Sequence, residues 1–159
     1  MYAERLALSM TDQPIYFATA RIWDEEFKER VKRHQARRGD NWTNIEEEKY
    51  LSHHTIYNKV CVVDCITLWC TNFFFDTNQN NPKEPVIDEA LDAIKKEFDQ
   101  FTAQDATFIF VTNEIGSGGV SDNVVQRRFT DMEGWMNQYV ASKADEVVLM
   151  VSGIPVKIK

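Results

Sequence analysis

The sequence predicts an α/β fold in which a mostly parallel sheet is flanked by helices, and three observations support this prediction. Helix-like and strand-like segments alternate along the 159 residues, as in folds whose strands are joined by crossover helices. Residues 60–66 form a nearly all-apolar run, which is typical of a strand buried on both faces. Hydrophobic residues make up 43% of the chain, enough for the core of a single domain over residues 1–159.

The first elements are a predicted helix, a turn and a strand. Residues 11–14 break the helical pattern, and the strand-like residues 15–19 that follow predict the first strand. Before the break, apolar residues recur at the i, i+3, i+4, i+7 spacing of one helix face, and these residues are Ala3, Leu6, Ala7 and Met10.

A longer helix is predicted over residues 24–37. Acidic residues occupy its first turn, where the helix dipole favours them, and arginines follow the glutamates at i,i+4 spacing. We expect Phe27, Val31 and His34 to form the stripe of this helix that faces the protein interior.

The rest of the chain repeats the alternation of helix and strand. Thr43 or Asn44 is expected to cap a short helix that carries residues 46–48. Residues 78–85 are polar and contain two prolines, so they are predicted to form a surface loop. Residues 155–159 alternate weakly and are expected to add a short strand at the sheet edge. The remaining patterns predict helices over 86–104 and 121–143 and strands over 60–66, 107–112 and 146–152.

Charge and composition argue against several kinds of partner. The 25 acidic and 18 basic side chains leave a net charge of −7, which repels nucleic acids and anionic lipid surfaces. No apolar run approaches the roughly 20 residues needed to cross a bilayer, and the N-terminus lacks the pattern of a signal peptide. We therefore expect a cytoplasmic protein that binds neither nucleic acid nor membranes.

The three cysteines do not form a disulfide framework. Cys61, Cys65 and Cys70 make neither a CxxC pair nor an even set, and the first two fall in or beside the strand-like run. We interpret them as buried thiols, and the alternative is metal binding.

Candidate site residues follow the predicted strands, because ligands of open parallel sheets bind at the carboxyl ends of the strands. The first strand ends at residues 18–20, the second at Asp64 and the third at residues 112–114. A carboxylate in the position of Asp64 can hold magnesium opposite nucleotide phosphates. The alternative for Asp64 is a helix cap or an acceptor for loop hydrogen bonds.

His34 is a candidate nucleophile. It lies on the predicted inward stripe of its helix, and Arg33, Arg37 and Arg38 are close by in the sequence. A neutral imidazole nitrogen attacks phosphorus when cations offset the developing charge and water is kept away from the covalent intermediate. The alternative is a partly buried histidine whose charge lies near the C-terminal dipole of the helix.

Residues 116–119 contain three glycines and precede a helix, so this loop resembles a phosphate cradle. It lacks the Lys-Ser/Thr pair of a P-loop, and we favour the alternative of a flexible active-site or interface loop. His53 and His54 are expected at the surface, and the pair 127–128 is either a solvated face or an interface contact.

Several segments, taken in order, resemble one family, the bifunctional CobU-type adenosylcobinamide kinase/adenosylcobinamide-phosphate guanylyltransferases. The resemblance runs from Tyr2 to the C-terminus, and unrelated segments agree in both order and spacing. The most specific segments are Ala18-Thr19-Ala20, Asp24-Glu25-Glu26, Arg30 with His34, Val63-Asp64-Cys65-Ile66-Thr67, Thr71-Asn72, Val111-Thr112-Asn113-Glu114-Ile115-Gly116, Asn137-Gln138, residues 144–147 and residues 151–159.

The resemblance implies a P-loop NTPase fold with a RecA-like, mostly parallel sheet, a homotrimer, and Mg²⁺ as cofactor. It also implies two reactions in sequence. ATP or GTP first phosphorylates the aminopropanol hydroxyl of adenosylcobinamide. GTP then guanylylates a histidine, which passes GMP to that phosphate and yields adenosylcobinamide-GDP.

The functional residues of the family map onto this chain by motif. The guanylylated histidine falls on His34, and the position that holds magnesium and contacts the nucleotide falls on Asp64. The other nucleotide-contacting positions fall on Ala18, Thr19, Ala20, Gln35, Ala36, Arg37, Arg38 and Glu46.

The chain departs from the family pattern at its front. In the family a first strand and a Gly-Gly-x-Arg-Ser-Gly-Lys-Ser loop precede the helix that begins Tyr-Ala-Glu, whereas this sequence opens at Met1, where the loop should just have finished. We expect a domain that is N-terminally incomplete, impaired in both reactions and left with unpaired strand edges.

Three explanations fit this departure. The missing residues lie upstream, which we favour; another segment or subunit replaces them; or the chain is a degenerate relative. The functional alternatives to the enzyme are a non-catalytic nucleotide- or corrinoid-binding subunit and a P-loop kinase for another substrate.

Overall fold

The computed structural model describes residues 2–36, 38–77 and 86–159, apart from the side chains of residues 27, 30 and 34. The helices are α1 Tyr2–Met10, α2 Glu25–Ala36, α3 Ile66–Asp76, α4 Ile87–Thr102 and α5 Val124–Lys143, with short 3₁₀ helices at Leu51–His53 and Ile115–Gly118. The strands are β1 Ile15–Ala18, β2 Thr43–Glu46, β3 Val60–Asp64, β4 Thr107–Val111, β5 Val148–Val151 and β6 Ile154–Lys157.

Four strands form a parallel sheet in the order β2-β1-β3-β4. The apolar run predicted as a central strand is β3, which pairs with β1 on one edge and β4 on the other and is buried over its first four residues. The prediction of a helix-covered, mostly parallel sheet is therefore confirmed. The register aligns Glu46, Ala18, Asp64 and Val111 in one row at the carboxyl edge.

The two faces of the sheet are covered by different helices. On one face Ile15, Phe17 and Val63 belong to the main core, which they share with α3, α4 and α5. On the other face Tyr16 and Val62 pack with α1 and Trp42 in a smaller cluster. The alternation of side chains along each strand thus directs Tyr16, Ala18 and Asp64 to the face with the smaller cluster.

The prediction of a short helix capped by Thr43 or Asn44 is wrong. Residues 43–46 form β2, which pairs with β1 along its whole length. The alternation of exposed polar residues with half-buried Ile45 suits an edge strand, and tertiary pairing overrides the capping propensity of the two residues.

Helix α3 was not predicted from the sequence. Six of its eleven residues are buried, so apolar side chains occur around much of its circumference and the sequence shows no amphipathic period. The predicted helices that correspond to α1, α2, α4 and α5 begin and end within three residues of their predicted ends.

The last two strands do not join the main sheet, so the prediction for residues 146–152 and 155–159 is wrong in its placement. β5 and β6 form an antiparallel hairpin, and Ser152 and Gly153 at its turn both have positive φ. Two positive φ angles are the geometry of a type I′ turn, which favours a hairpin between adjacent strands. Several apolar side chains of this hairpin, and of Ile158 directly after it, are exposed. They are Leu149, Met150, Val151, Ile154, Val156 and Ile158.

The described part of the main sheet has an open edge at β4, where pairing is seen only with β3. No helix in the described ranges is long and apolar enough to cross a membrane. The predicted surface loop at residues 78–85 lies outside the described residues.

Candidate functional site

A cavity of about 300 Å³ opens at the carboxyl edge of the sheet, where the order of the strands predicts a ligand site. Strand ends, the start of α3 and the helix α2 enclose it. Its lining consists of Tyr16, Ala18, Ala20, Val31, Arg38, Asp64, Cys65, Thr67, Leu68, Val111 and Asn113.

Asp64 lies at the tip of β3 and is held by a tyrosine from the neighbouring strand. The hydroxyl group of Tyr16 donates a short hydrogen bond to Asp64 Oδ2. Burial, and next the charge of Asp64, raise the pKa of Tyr16 far above its ordinary value, so the phenol keeps its proton and remains a donor. The carboxylate is thereby oriented within the cavity lining.

Arg38 places a buried positive charge beside this pair. Its guanidinium lies 3.5 Å from the ring centroid of Tyr16, and its Nε donates to Asn44 Oδ1 at 2.8 Å. Nη1 is 3.9 Å from Glu4 Oε1 and has no hydrogen-bond partner among the described residues. With only 3% of its side chain exposed, Arg38 brings an unfilled donor to a cavity, as anion-binding arginines do.

Thr19 lies in the protein interior and does not line the cavity. It is fully buried, and its hydroxyl group donates to Cys65 O at 2.8 Å and accepts from Cys65 N at 2.9 Å. The peptide bond between Asp64 and Cys65 is cis. The backbone carbonyl of Thr19 accepts a hydrogen bond of 2.7 Å from Asn72 Nδ2. Thr19 therefore connects the end of β1 to the end of β3 and to α3.

The other predicted nucleotide contacts within the described residues do not line the cavity. Gln35 Nε2 donates to Glu46 Oε1 at 2.8 Å, which joins the end of α2 to the end of β2 beside Ala18. Ala36 is exposed, and Arg37 lies outside the described residues.

The backbone of His34 belongs to the last turn of α2, and its side chain also lies outside the described part. The structure thus brings together Ala18, Ala20, Arg38 and Asp64 from the predicted set.

Three lining residues with a hydroxyl or amide side chain were not among the predicted site residues: Tyr16, Thr67 and Asn113. Asn113 follows β4 in a segment singled out as a strand end, and Thr67 is the second residue of α3, three positions after Asp64. The available signal for Tyr16 was a buried-strand tyrosine whose hydroxyl group needs a partner.

The cysteines are free and buried, as predicted. Burial raises the pKa of Cys61 to about 12 and that of Cys65 to about 11, so both remain neutral thiols at physiological pH. The described residues contain no cluster of three His, Cys, Asp or Glu side chains that would hold a metal ion. The carboxylate of Asp64 is nonetheless the type of hard oxygen ligand that Mg²⁺ takes singly alongside substrate phosphates.

The glycine-rich loop and the two adjacent histidines complete the candidate residues. Residues 115–118 form a single 3₁₀ turn and do not line the cavity. His53 is exposed as predicted, whereas His54 is half-buried, 3.5 Å from Glu47 Oε2 and edge-on to Phe17. The prediction that both histidines are surface residues is therefore correct only for His53.

A parallel sheet with polar groups collected at its carboxyl edge is the arrangement in which open α/β sheets bind ligands, and it is consistent with a P-loop NTPase-like fold. The chain belongs to the cobinamide kinase / cobinamide phosphate guanyltransferase family, whose model matches residues 1–158. The family consists of enzymes, and the resemblance found in the sequence is confirmed.

Curated relatives support the same family. The chain is 35% identical to the bifunctional adenosylcobalamin biosynthesis protein CobU of Escherichia coli strain K12, over 99% of this chain and 92% of the relative. It is 35% identical to the protein of that name from Salmonella typhimurium, over 92% and 86%. It is 31% identical to the bifunctional adenosylcobalamin biosynthesis protein CobP of Pseudomonas aeruginosa, over 99% and 88%.

Proposed function

We propose that this protein acts in cobalamin biosynthesis as an adenosylcobinamide kinase and adenosylcobinamide-phosphate guanylyltransferase. It phosphorylates adenosylcobinamide with ATP or GTP, and then transfers GMP from GTP to the phosphate through His34. The observation that carries the proposal is the cluster of Tyr16, Arg38 and Asp64, in which a buried guanidinium with an unfilled donor lies beside an oriented carboxylate.

The charges of the cluster suit a nucleotide phosphate. Arg38 Nη1 donates to a phosphate oxygen, and the low polarity around a 3% exposed side chain strengthens that bond. Asp64 would hold Mg²⁺, which would supply charge neutralisation to the phosphate oxygens. Tyr16 fixes the carboxylate by its hydrogen bond, so Asp64 needs little reorganisation when the nucleotide enters.

His34 serves as the nucleophile in the second reaction. Its imidazole nitrogen forms a bond to the α-phosphorus of GTP, and the bond from that phosphorus to the bridging oxygen breaks, releasing pyrophosphate with the electron pair. A phosphate oxygen of adenosylcobinamide phosphate then displaces the histidine. Val31, which lines the cavity, is three positions earlier on α2, and residues at this spacing share a helix face.

A strand with a phosphate-binding loop is proposed to pair with the open edge of β4. In the described part of the sheet β4 is paired only with β3, and the β5–β6 hairpin exposes apolar side chains. Such a strand would bring the loop to the carboxyl edge that contains Asp64. Its source is tested by reading the DNA ahead of Met1 for an in-frame Gly-x-x-x-x-Gly-Lys-Ser.

Calorimetry tests the need for this strand. The 159-residue chain is expected to bind GTP weakly, and an N-terminal extension that supplies strand and loop is expected to restore tight binding. Micromolar binding of GTP by the 159-residue chain would contradict the requirement for the loop.

We propose a homotrimer and a cytoplasmic location as well. Exposed apolar side chains away from the cavity, including Trp135, support self-association, and three free thiols suit a reducing compartment. Sedimentation analysis is expected to give three times the monomer mass, and a monomer at micromolar concentration would contradict the trimer.

Labelling with α-phosphate-labelled GTP tests the transferase proposal. The extended protein is expected to acquire acid-labile label, and His34→Ala is expected to abolish it, because a phosphorus–nitrogen bond requires the imidazole. His53→Ala is the matched control, since His53 is exposed and stacks on Tyr50 outside the cavity. Label that survives His34→Ala would contradict the role of His34.

Binding without transfer would favour the non-catalytic alternative. A protein that binds GTP and adenosylcobinamide but never acquires label is a nucleotide- or corrinoid-binding subunit. Phosphorylation of simple alcohols in place of adenosylcobinamide would instead indicate a kinase for another substrate.

A further inference from the structure

A buried carboxylate lies behind the cavity on the buried face of α5. Glu133 is 1% exposed and lies between Met132 and Met136, both fully buried. Burial raises the pKa of its carboxyl group, and hydrogen bonds from neutral groups partly oppose that shift. A carboxyl group in such a place costs stability unless its oxygen atoms are well bonded, so its contacts need an explanation.

Three side chains converge on one oxygen atom of Glu133. Oε1 lies 3.1 Å from Thr67 Oγ1, 3.3 Å from Thr112 Oγ1 and 3.1 Å from Asn137 Nδ2. Thr67 at the start of α3 and Asn137 on α5 donate to Oε1, whereas the one hydroxyl hydrogen of Thr112, after β4, makes the shorter bond of 2.7 Å to Asn137 Oδ1. Glu133 and Asn137 together therefore join three elements that meet at the carboxyl edge of the sheet.

The connection continues from Thr67 into the cavity. Because the hydroxyl hydrogen of Thr67 points to Glu133, its oxygen accepts from Asn113 N at 3.2 Å and from Asn113 Nδ2 at 3.0 Å. Asn137 Nδ2 also lies 3.0 Å from Asn113 O. Thr67 and Asn113 both line the cavity, whereas Glu133 and Asn137 do not.

We propose that Glu133 is a positioning residue for the cavity: it fixes the hydroxyl group of Thr67 and, through it, the backbone and side-chain amides of Asn113. Any effect on nucleotide binding rests on the proposed function, but the ordering of Asn113 does not. The direction of the bonds makes the relation specific. With its hydrogen committed to Glu133, the Thr67 hydroxyl group presents only lone pairs to Asn113.

Substitutions at residue 133 separate positioning from packing. In Glu133→Met the acceptor is lost, and Thr67 is free to turn its hydrogen away. In Glu133→Gln the side-chain carbonyl oxygen still accepts from Thr67 and Asn137, so the conservative variant is expected to rescue the order of Asn113. Glu97→Met is the matched control, because Glu97 is a buried glutamate on α4 that accepts from Ser52 N away from the cavity.

The readout is the nuclear magnetic resonance order parameter of the Asn113 backbone amide. We expect the rigid value of about 0.85 in the wild type, in Glu133→Gln and in Glu97→Met, and a fall to about 0.6 in Glu133→Met. Thr67→Val is expected to give the same fall, and the double variant no further fall, because both changes break one chain of bonds. Thermal unfolding confirms that each variant is folded before it is compared.

Two results would overturn the inference. One is an unchanged order parameter in folded Glu133→Met, and the other is an equal fall in Glu97→Met, which would indicate general loosening. If Glu133→Met does not fold, the comparison of Thr67→Val with Thr67→Ser decides: Ser keeps the hydroxyl group and is expected to keep Asn113 rigid. If the wild-type protein does not bind GTP, the proposed function is contradicted. The order parameter of Asn113 then still decides whether Glu133 positions that residue.

Discussion

Two charged clusters in this protein differ in how completely their arginines are bonded. The outer ion-pair network is formed by Arg21, Glu48, Lys49 and Asp76. In it Arg21 donates two hydrogen bonds of 2.9 and 3.0 Å to Asp76 and one of 2.7 Å to Glu48. In the site cluster, formed by Tyr16, Arg38 and Asp64, the side chain of Arg38 donates to Asn44, and its Nη1 has no hydrogen-bond partner in the part of the chain that the structure describes.

This difference separates a network that stabilises the fold from a cluster that can bind an anionic ligand. All three guanidinium nitrogens of Arg21 already donate to carboxylates, so a ligand would compete with existing bonds, whereas a buried donor without a partner is costly until an anion arrives. We therefore expect the outer ion-pair network to govern stability and the site cluster to govern nucleotide affinity.

The largest expected effect comes from Arg38→Met. Loss of the buried guanidinium is expected to weaken GTP binding by about 30- to 150-fold, which corresponds to about 2–3 kcal/mol for a charge-assisted hydrogen bond. Calorimetry of the protein with strand and loop supplied measures this affinity. The matched control is Arg21→Met, which is expected to leave GTP affinity within about twofold; equal losses in the two variants would remove the distinction.

The next effect is on stability and comes from Asp76→Asn. Hydrogen bonding to Arg21, followed by Lys49, lowers the pKa of Asp76, so the folded protein favours the carboxylate. The partly exposed network is expected to lose about 1–2 kcal/mol in the free energy of unfolding near pH 7. Denaturant unfolding at several pH values measures this loss.

The pH dependence of this loss has a definite sign. A lowered pKa stabilises the fold above the ordinary pKa of aspartate, and that contribution disappears as the pH falls through the lowered value. The gap between wild type and Asp76→Asn should therefore close in acid. A gap that persists unchanged at pH 2 would show that Asp76 acts through packing instead of charge.

The smallest expected effect comes from Tyr16→Phe. The variant keeps the ring beneath Arg38 but loses the donor to Asp64, so the carboxylate is less well oriented. We expect about a threefold rise in the Mg²⁺ concentration needed for half-maximal labelling by GTP, within the range of one hydrogen bond. No change in that concentration would mean that the orientation of Asp64 is independent of Tyr16.

Much of the fold was predictable because local patterns agreed with tertiary structure. The sequence correctly predicted the apolar β3, the helices α1 and α4, and the strand ends at Ala18 and Asp64. The sequence misled where tertiary pairing decides. Capping residues at 43 and 44 enter a strand because β1 offers a partner, and α3 has no period because it is buried on several sides.

The site was predictable in its location but not in its connections. The positions of Arg38 and Asp64 followed from motif and strand order, but the contact between Tyr16 and Asp64 joins residues 48 positions apart. The bond between Thr67 and Glu133 spans 66 positions, and a glutamate at residue 133 looks like any polar residue on a long helix. Pairings of this kind depend on helix packing, which a periodicity does not specify.

The most direct test of the account is to locate the guanylyl group by mass spectrometry after incubation with GTP. We predict that the protein with strand and loop supplied bears one GMP adduct, on the peptide that contains His34, and that adenosylcobinamide phosphate removes it. An adduct on His53 or His54, or turnover to adenosylcobinamide-GDP with His34 replaced by alanine, would contradict the assignment of the carboxyl-edge cavity as the site of transfer.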